Sequence, residues 1–199
     1  MKCQHLPLLL LALSSMAEAN LIDRGNGLIY DQDLNITWLA DANYAKTSGF
    51  DADGRMDWQS SNSWAAGLIY GGYSDWRLPT RPAGSSDGSN QTSSEMGHLF
   101  YNELGGVAQQ SLAGTHNASY NLFSNLQDSV YWTGPEDGVN AGIFYFSDGY
   151  QYHTTKNDNM SAWAVRPGDV AVMPVPPAVW LLGSGLLGLL GLRRRGNIG

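Results

Sequence analysis

The chain has almost no cysteine. Its single thiol, Cys3, precedes an apolar run from Leu6 to Leu13. Past residue 3 there is none, so disulfides, thiolate nucleophiles, Cys-ligated zinc and iron–sulfur clusters are excluded from the body of the protein. Basic residues are also scarce, 11 Lys and Arg against 18 acids for a net charge of −7. A nucleic-acid binder needs a basic face, and that class is rejected. Histidines are few. In the body only His98, His116 and His153 occur, and none shows a metal-ligand spacing such as i, i+4. No Gly-x-Ser-x-Gly elbow is present in the body either, since Gly183-Ser184-Gly185 lies in a terminal apolar run. Long helical periodicity is absent.

Both ends read as addressing devices. Lys2, the apolar core Leu6 to Leu13 and the small-x-small site Ala17-Glu18-Ala19 predict a signal peptide over 1–19, with a mature start at Asn20. Cys3 lies before the core, so it is not the lipidated cysteine of a lipoprotein. At the other end stand a Pro-rich linker (170–177), an apolar segment (178–192) and a basic tail (193–199). The apolar segment is shorter than the ~20 helical residues that a bilayer core takes, so it barely crosses one. It reads as a C-terminal transmembrane helix with Arg193, Arg194 and Arg195 as a cytoplasmic stop. Pro174-Val175-Pro176, the apolar run and the arginines, within 173–199, resemble the PEP-CTERM sorting signal of Gram-negative bacteria in its VPLPA-type variant. Val175 stands where the commonest form has glutamate, and Pro177 where the variant has alanine. The resemblance implies two processing partners, signal peptidase and an exosortase-type protease. It also implies membrane attachment before cleavage, then delivery to the cell surface or extracellular matrix. The alternative for the tail is an ordinary single-pass anchor.

Between the ends lies one domain-sized ectodomain, 20–169. Without Glu18, Lys2 and the three tail arginines, 17 acids and 7 bases remain, a balance of −10. Such a surface suits solubility or divalent cations. Trp58, Ser61, Trp64, Ala65 and Leu68 predict a helix over 57–68, capped by Asp57. Met96, Leu99, Phe100 and Leu104 predict a second over 93–104, with Thr92 and Glu95 at capping-box spacing and Gly105-Gly106 as its stop. The rest reads as short strands: 28–30, 37–39, 130–133, 142–146, 150–153 and 162–165. Ser147-Asp148-Gly149 is a hairpin signal. The polar loop RPAGSSDGSNQ (81–91) shows no reason to pack.

Five segments carry a resemblance across this body: LIDRGNGLIYDQDLNITWLADANYA (21–45), DADGRMDW (51–58), GGYSDWRLPT (71–80), SVYWTG (129–134) and SAWAVRPG (161–168). They resemble the DUF1566 family, related to the C-terminal domain of the Legionella collagen-like adhesin, Lcl. The resemblance implies an α+β, C-type-lectin-like domain, with two helices on twisted antiparallel strands. In the adhesin the domain is associated with surface attachment and with binding of sulfated polysaccharide; the collagen-like repeat of that adhesin is absent here.

Three groups of residues are candidates for chemistry. Asp51, Asp53 and Asp57 surround a glycine turn and could converge on Ca²⁺, the one cofactor considered; the alternative is a solvated turn in which Asp57 only caps the helix. Asp31, Asp33 and Asn35 form a similar turn. Trp76 and Arg77 combine an indole with a guanidinium and could bind sugar. The alternative is architectural, with Trp76 buried and Arg77 paired to Asp75 or Glu103. Tyr145 alternates with Phe144 and Phe146, so it faces away from the core and could stack on sugar with Tyr150 or Tyr152. His98 reads as structural, and no calcium–sugar Glu-Pro-Asn triplet is present. The expected function is a noncatalytic surface or matrix protein that binds polysaccharide or surface components in adhesion or biofilm. The alternatives are a structural surface protein without small ligand and an extracellular polysaccharide hydrolase.

Overall fold

The computed structural model describes residues 20–170. The expected signal peptide, linker, sorting motif and apolar tail segment lie outside them, apart from Val170. The described part is α+β, built mostly of strands. The first sheet joins β1 (Leu21–Asp23), β2 (Leu28–Asp31), β3 (Ile36–Leu39) and β9 (Val165–Pro167) in that spatial order. All its pairs are antiparallel. The second joins β4 (Arg55–Met56), β8 (Met160–Ser161), β5 (Val130–Asp137), β6 (Asn140–Tyr145) and β7 (Gln151–Thr155). The chain therefore closes on itself, its last strand pairing with one of its first.

The helices are short. α1 is Tyr44–Thr47, α2 Trp58–Gly67, α3 Glu95–His98 and α4 Leu112–Thr115. α2 is where the periodicity put it. Asp57 accepts from the Ser60 amide at 2.7 Å as its cap, and Trp58, Ser61, Trp64 and Ala65 face the core. The second expected helix is corrected. Only Glu95–His98 is α-helical, and Leu99–Glu103 continues as a wider π turn in which the Leu104 amide bonds to the Leu99 carbonyl at 2.9 Å. Its cap is Ser94, not Thr92. Glu95 is not free to complete a capping box, because its carboxylate receives Arg77 and the Thr80 amide.

The two-helix, lectin-like layout is thus overturned as a description of this fold, and the expected transmembrane helix, which falls outside the described residues, forms no part of it. Strands dominate, the helices are several and short, and no helix among the described residues is long and apolar enough to cross a membrane. The expected strand over 162–165 is also displaced. Ala162, Trp163 and Ala164 instead bridge β8 of one sheet to β9 of the other, all fully buried. Aromatic–small alternation there resembles a strand, but its hydrogen bonds pass between sheets.

Trp163 is the pin of the molecule. Its ring meets Trp38 at 4.9 Å, Phe123 at 5.2 Å, Tyr131 at 5.8 Å and Phe146 at 6.0 Å, so both sheets converge on it. Buried indoles need an acceptor, and these find backbone carbonyls far away in sequence. Trp163 donates to Leu39 at 2.8 Å, Trp132 to Met56 at 2.8 Å, and Trp58 to Thr133 at 2.9 Å. These bonds lock α2 and the second sheet in one register.

Candidate functional site

The outer margin of the second sheet gathers the features that could meet a ligand. β7 is the edge strand, and its free side is a liability that folds cover or disrupt. Loop 81–91 covers it. Gly88 and Gln151 exchange two backbone hydrogen bonds of 3.0 Å, and the Gln151 side chain donates to the Ser86 carbonyl at 2.7 Å. The loop therefore packs, against the expectation from its composition. Its pairing partner is 63 residues further along the chain and leaves no local trace.

Arg81 anchors this loop. Its guanidinium is almost wholly buried, and donates to the carbonyls of Tyr152 at 3.0 Å and Ser85 at 2.7 Å and to Asp87 at 2.7 Å. Asp87 also lies 3.1 Å from His153 Nδ1. Gly142 makes room for Arg81: a Cβ there would stand 3.3 Å from Arg81 Cδ and 2.4 Å from Thr133 Oγ1. Between the loop and the sheet is a cavity of about 280 Å³, lined by Arg81, Ser85, Glu136, Gly142 and His153 among others. The volume approaches the lower end of small-ligand sites.

On the opposite face of the same edge is a tyrosine strip. Strand alternation sends Tyr152 one way and His153 the other, and the cavity is on the side of His153. Tyr145, Tyr150 and Tyr152 follow one another with ring centroids 6.4 and 6.2 Å apart. Tyr150 and Tyr152 are 38% and 48% exposed, and Tyr145 is half-buried. Burial, and then the nearby charges of Asp148 and Asp158, hold the Tyr145 hydroxyl above its usual pKa, so it remains a hydrogen-bond donor. Phe144 and Phe146 turn inward, as the alternation predicts.

The other sequence candidates fall elsewhere. Trp76 is 3% exposed, packs edge-on to Tyr70 and donates to the Tyr73 carbonyl at 3.2 Å, so its faces are unavailable to sugar. Arg77 forms a bidentate pair with Glu95 at 2.8 and 2.7 Å rather than with Asp75 or Glu103. Asp75 instead serves Arg166, at 2.8 and 3.0 Å, and Arg166 holds its carboxyl below the usual carboxylate range.

Asp51, Asp53 and Asp57 spend their carboxylates on the backbone. Asp51 accepts from the amides of Asp53 at 3.0 Å and Gly54 at 2.7 Å. Asp53 accepts from Arg55 at 2.9 Å, and Asp57 from Ser60 at 2.7 Å. This is the chemistry of short acidic side chains in turns. Among the described residues, three ligand-type side chains converge elsewhere, at Asp31, His98 and Glu103. Sequence reasoning missed that group, and the cluster of Arg81, Asp87 and His153 beside the cavity, because each is assembled from segments far apart in the chain.

A family model described as the Lcl C-terminal domain matches residues 27–166. Comparison with curated proteins and with solved structures gave no match.

Proposed function

The chain belongs to the Lcl C-terminal domain family, a surface-associated, adhesin-like family, and from that premise we propose that it is an exported, noncatalytic protein that binds polysaccharide at the β7 margin. The observation that carries this reading is the strip Tyr145, Tyr150 and Tyr152, three neighbouring rings of which two are well exposed. Apolar faces with hydroxyl tips suit sugar rings, which present C–H faces and hydroxyl edges. Sorting by signal peptidase and an exosortase-type protease to the Gram-negative surface or matrix is part of the proposal. Its support is the two end segments, 1–19 and 173–199. With a balance of −10 over 20–169, uncharged glycans are the expected class and sulfated ones are disfavoured.

One observation favours a hydrolase instead. Ser85 and His153 line the same cavity, and His153 faces Asp87. Against it, the Ser85 hydroxyl donates to the Pro82 carbonyl at 2.6 Å and so does not face a base.

A glycan array probed with the purified protein, in calcium and in EDTA, tests the proposal. Binding of uncharged glycans is expected in both. The double substitution Tyr150→Ala, Tyr152→Ala is expected to weaken it about 5- to 150-fold, two lost stacking contacts at about 0.5–1.5 kcal/mol each, with unchanged thermal melting. Undiminished binding by that variant would remove the strip from the site, and release of labelled sugar by the wild type would establish the hydrolase.

A further inference from the structure

Where the end of β2 meets α3 and its π turn, a polar cluster lies outside both the tyrosine strip and the cavity. Asp31, His98 and Glu103 each bring one ligand-type atom to within 4.8 Å of the others. Asp31 is 0% and Glu103 1% exposed, and only 12% of the His98 side chain reaches solvent. His98 Nε2 lies 3.2 Å from Glu103 Oε1 and 3.7 Å from Asp33 Oδ2. Three carboxylates thus surround one imidazole with little water to screen them.

Two further observations point to a missing partner. Glu103 Oε2 is buried and makes no hydrogen bond. A buried carboxylate oxygen without a donor is strongly disfavoured, and such atoms are rare in folded proteins. The π turn also aims Glu103 at this spot. In an α-helix, residues five apart stand about 140° apart around the axis. The wider turn over Leu99–Glu103 returns Glu103 to the side of His98, and such turns recur at functional sites.

We infer that Asp31, His98 and Glu103 form a binding site for one divalent transition-metal ion, with zinc as the reference case. The donor set decides the class. One imidazole nitrogen with carboxylate oxygens suits first-row transition metals, whereas Ca²⁺ and Mg²⁺ take oxygen donors. Zinc bonds of about 2.0–2.2 Å place donors about 3.4 Å apart, so side-chain movements of little more than an ångström close the site. Asp33, half-exposed, stands at the mouth as a further carboxylate.

The supporting shell is present. The Trp38 indole and the Leu34 amide hold Asp31, at 3.4 and 3.0 Å, and Asn102 lies 3.0 Å from His98 Nδ1. Asn102 presents its amide nitrogen to Nδ1 in the structure; with the metal on Nε2 the ring proton sits on Nδ1, and a turn of the Asn102 amide brings Oδ1 round to accept it. Any proton displaced from Nε2 leaves to solvent. The ion would tie the first sheet to α3 and its π turn and would stabilise the fold by mass action.

The test uses the untagged full-length chain, stripped with chelator and titrated with ZnCl₂ and separately with CaCl₂ by calorimetry and thermal melting. One zinc ion per chain and a raised melting temperature are expected, with no calcium response. Glu103→Gln and His98→Gln are each expected to weaken zinc binding at least tenfold. Histidine NMR of the wild type guards against a variant that fails to fold: zinc must shift the His98 ring signals and leave those of His5, His116 and His153 in place. Absence of saturable zinc binding, an equal response to calcium, shifts confined to His5, His116 or His153, or full affinity in both folded variants would overturn the assignment.

Discussion

Arg81→Met tests whether one buried guanidinium holds loop 81–91 on the sheet edge. Methionine keeps the packing over Gly142 and removes the charge. The loss includes three donor contacts, to Tyr152, Ser85 and Asp87. Hydrogen bonds involving a charged group contribute about 1.5–3 kcal/mol each, so the gross loss is about 4.5–9 kcal/mol. Much of this is offset, because desolvating a guanidinium costs several kcal/mol that methionine avoids. Asp87 also remains solvated, with 37% of its side chain exposed. The expected net destabilisation is about 2–3 kcal/mol, or about 5–10 °C in melting temperature for a domain of this size. Urea denaturation gives the global number and hydrogen exchange locates it. The amides of Gly88 and Gln151, which pair across the edge, are expected to exchange about 30–150 times faster in the variant, the same energy expressed as a local opening. A change below about 0.5 kcal/mol by the global measure, the range of an unremarkable surface site, with those two amides as protected as before, would refute the clamp. Rapid exchange at Gly88 and Gln151 without global loss would show instead that the loop opens as a separate unit.

Two further outcomes follow from the same structure. Trp163→Ala removes the ring on which both sheets converge and the bond to Leu39, and is expected to cost about 4–6 kcal/mol, the cavity and hydrogen-bond terms together. Urea denaturation measures it, and a cost under 2 kcal/mol (about the low end for a core truncation) would show that Trp163 is not central. Asp75→Asn probes the Arg166 pair through pH. Arg166 lowers the folded-state pKa of Asp75, so its contribution is present above the unfolded value and is lost as pH falls through the folded one. The variant is expected to show a flatter fall in stability below about pH 4. The difference should stay under about 1 kcal/mol, because 47% of the Asp75 side chain is exposed. Melting curves across pH 2–7 (about the carboxylate window) check it, and parallel curves for both proteins would show that the pair contributes nothing.

The correct and incorrect sequence readings divide by range of interaction. α2 was readable because its cap, Asp57, and its buried stripe lie within one short segment. The β6–β7 hairpin was readable because Ser147-Asp148-Gly149 joins its strands directly and the flanking aromatics alternate. The second helix was over-extended because its apolar spacing does not reveal the π turn, which gives Leu99–Glu103 a different periodicity. Trp76 and Tyr152 carry similar aromatic character in sequence, yet one is 3% and the other 48% exposed. That difference depends on which chain segments fold over each ring.

From its sequence alone this protein is acidic, free of cysteine past residue 3, and a set of short strands and turns bearing the family's motifs. Those properties are local or compositional, and no folding is needed to read them. The tertiary structure decided which side chains share a place. It put Gly88 against Gln151, Arg81 beneath His153, and Asp31 beside His98 and Glu103. Each pairing closes a loop of more than 60 residues, and its partner is chosen by the packing of two sheets around Trp163 rather than by any neighbour in the chain.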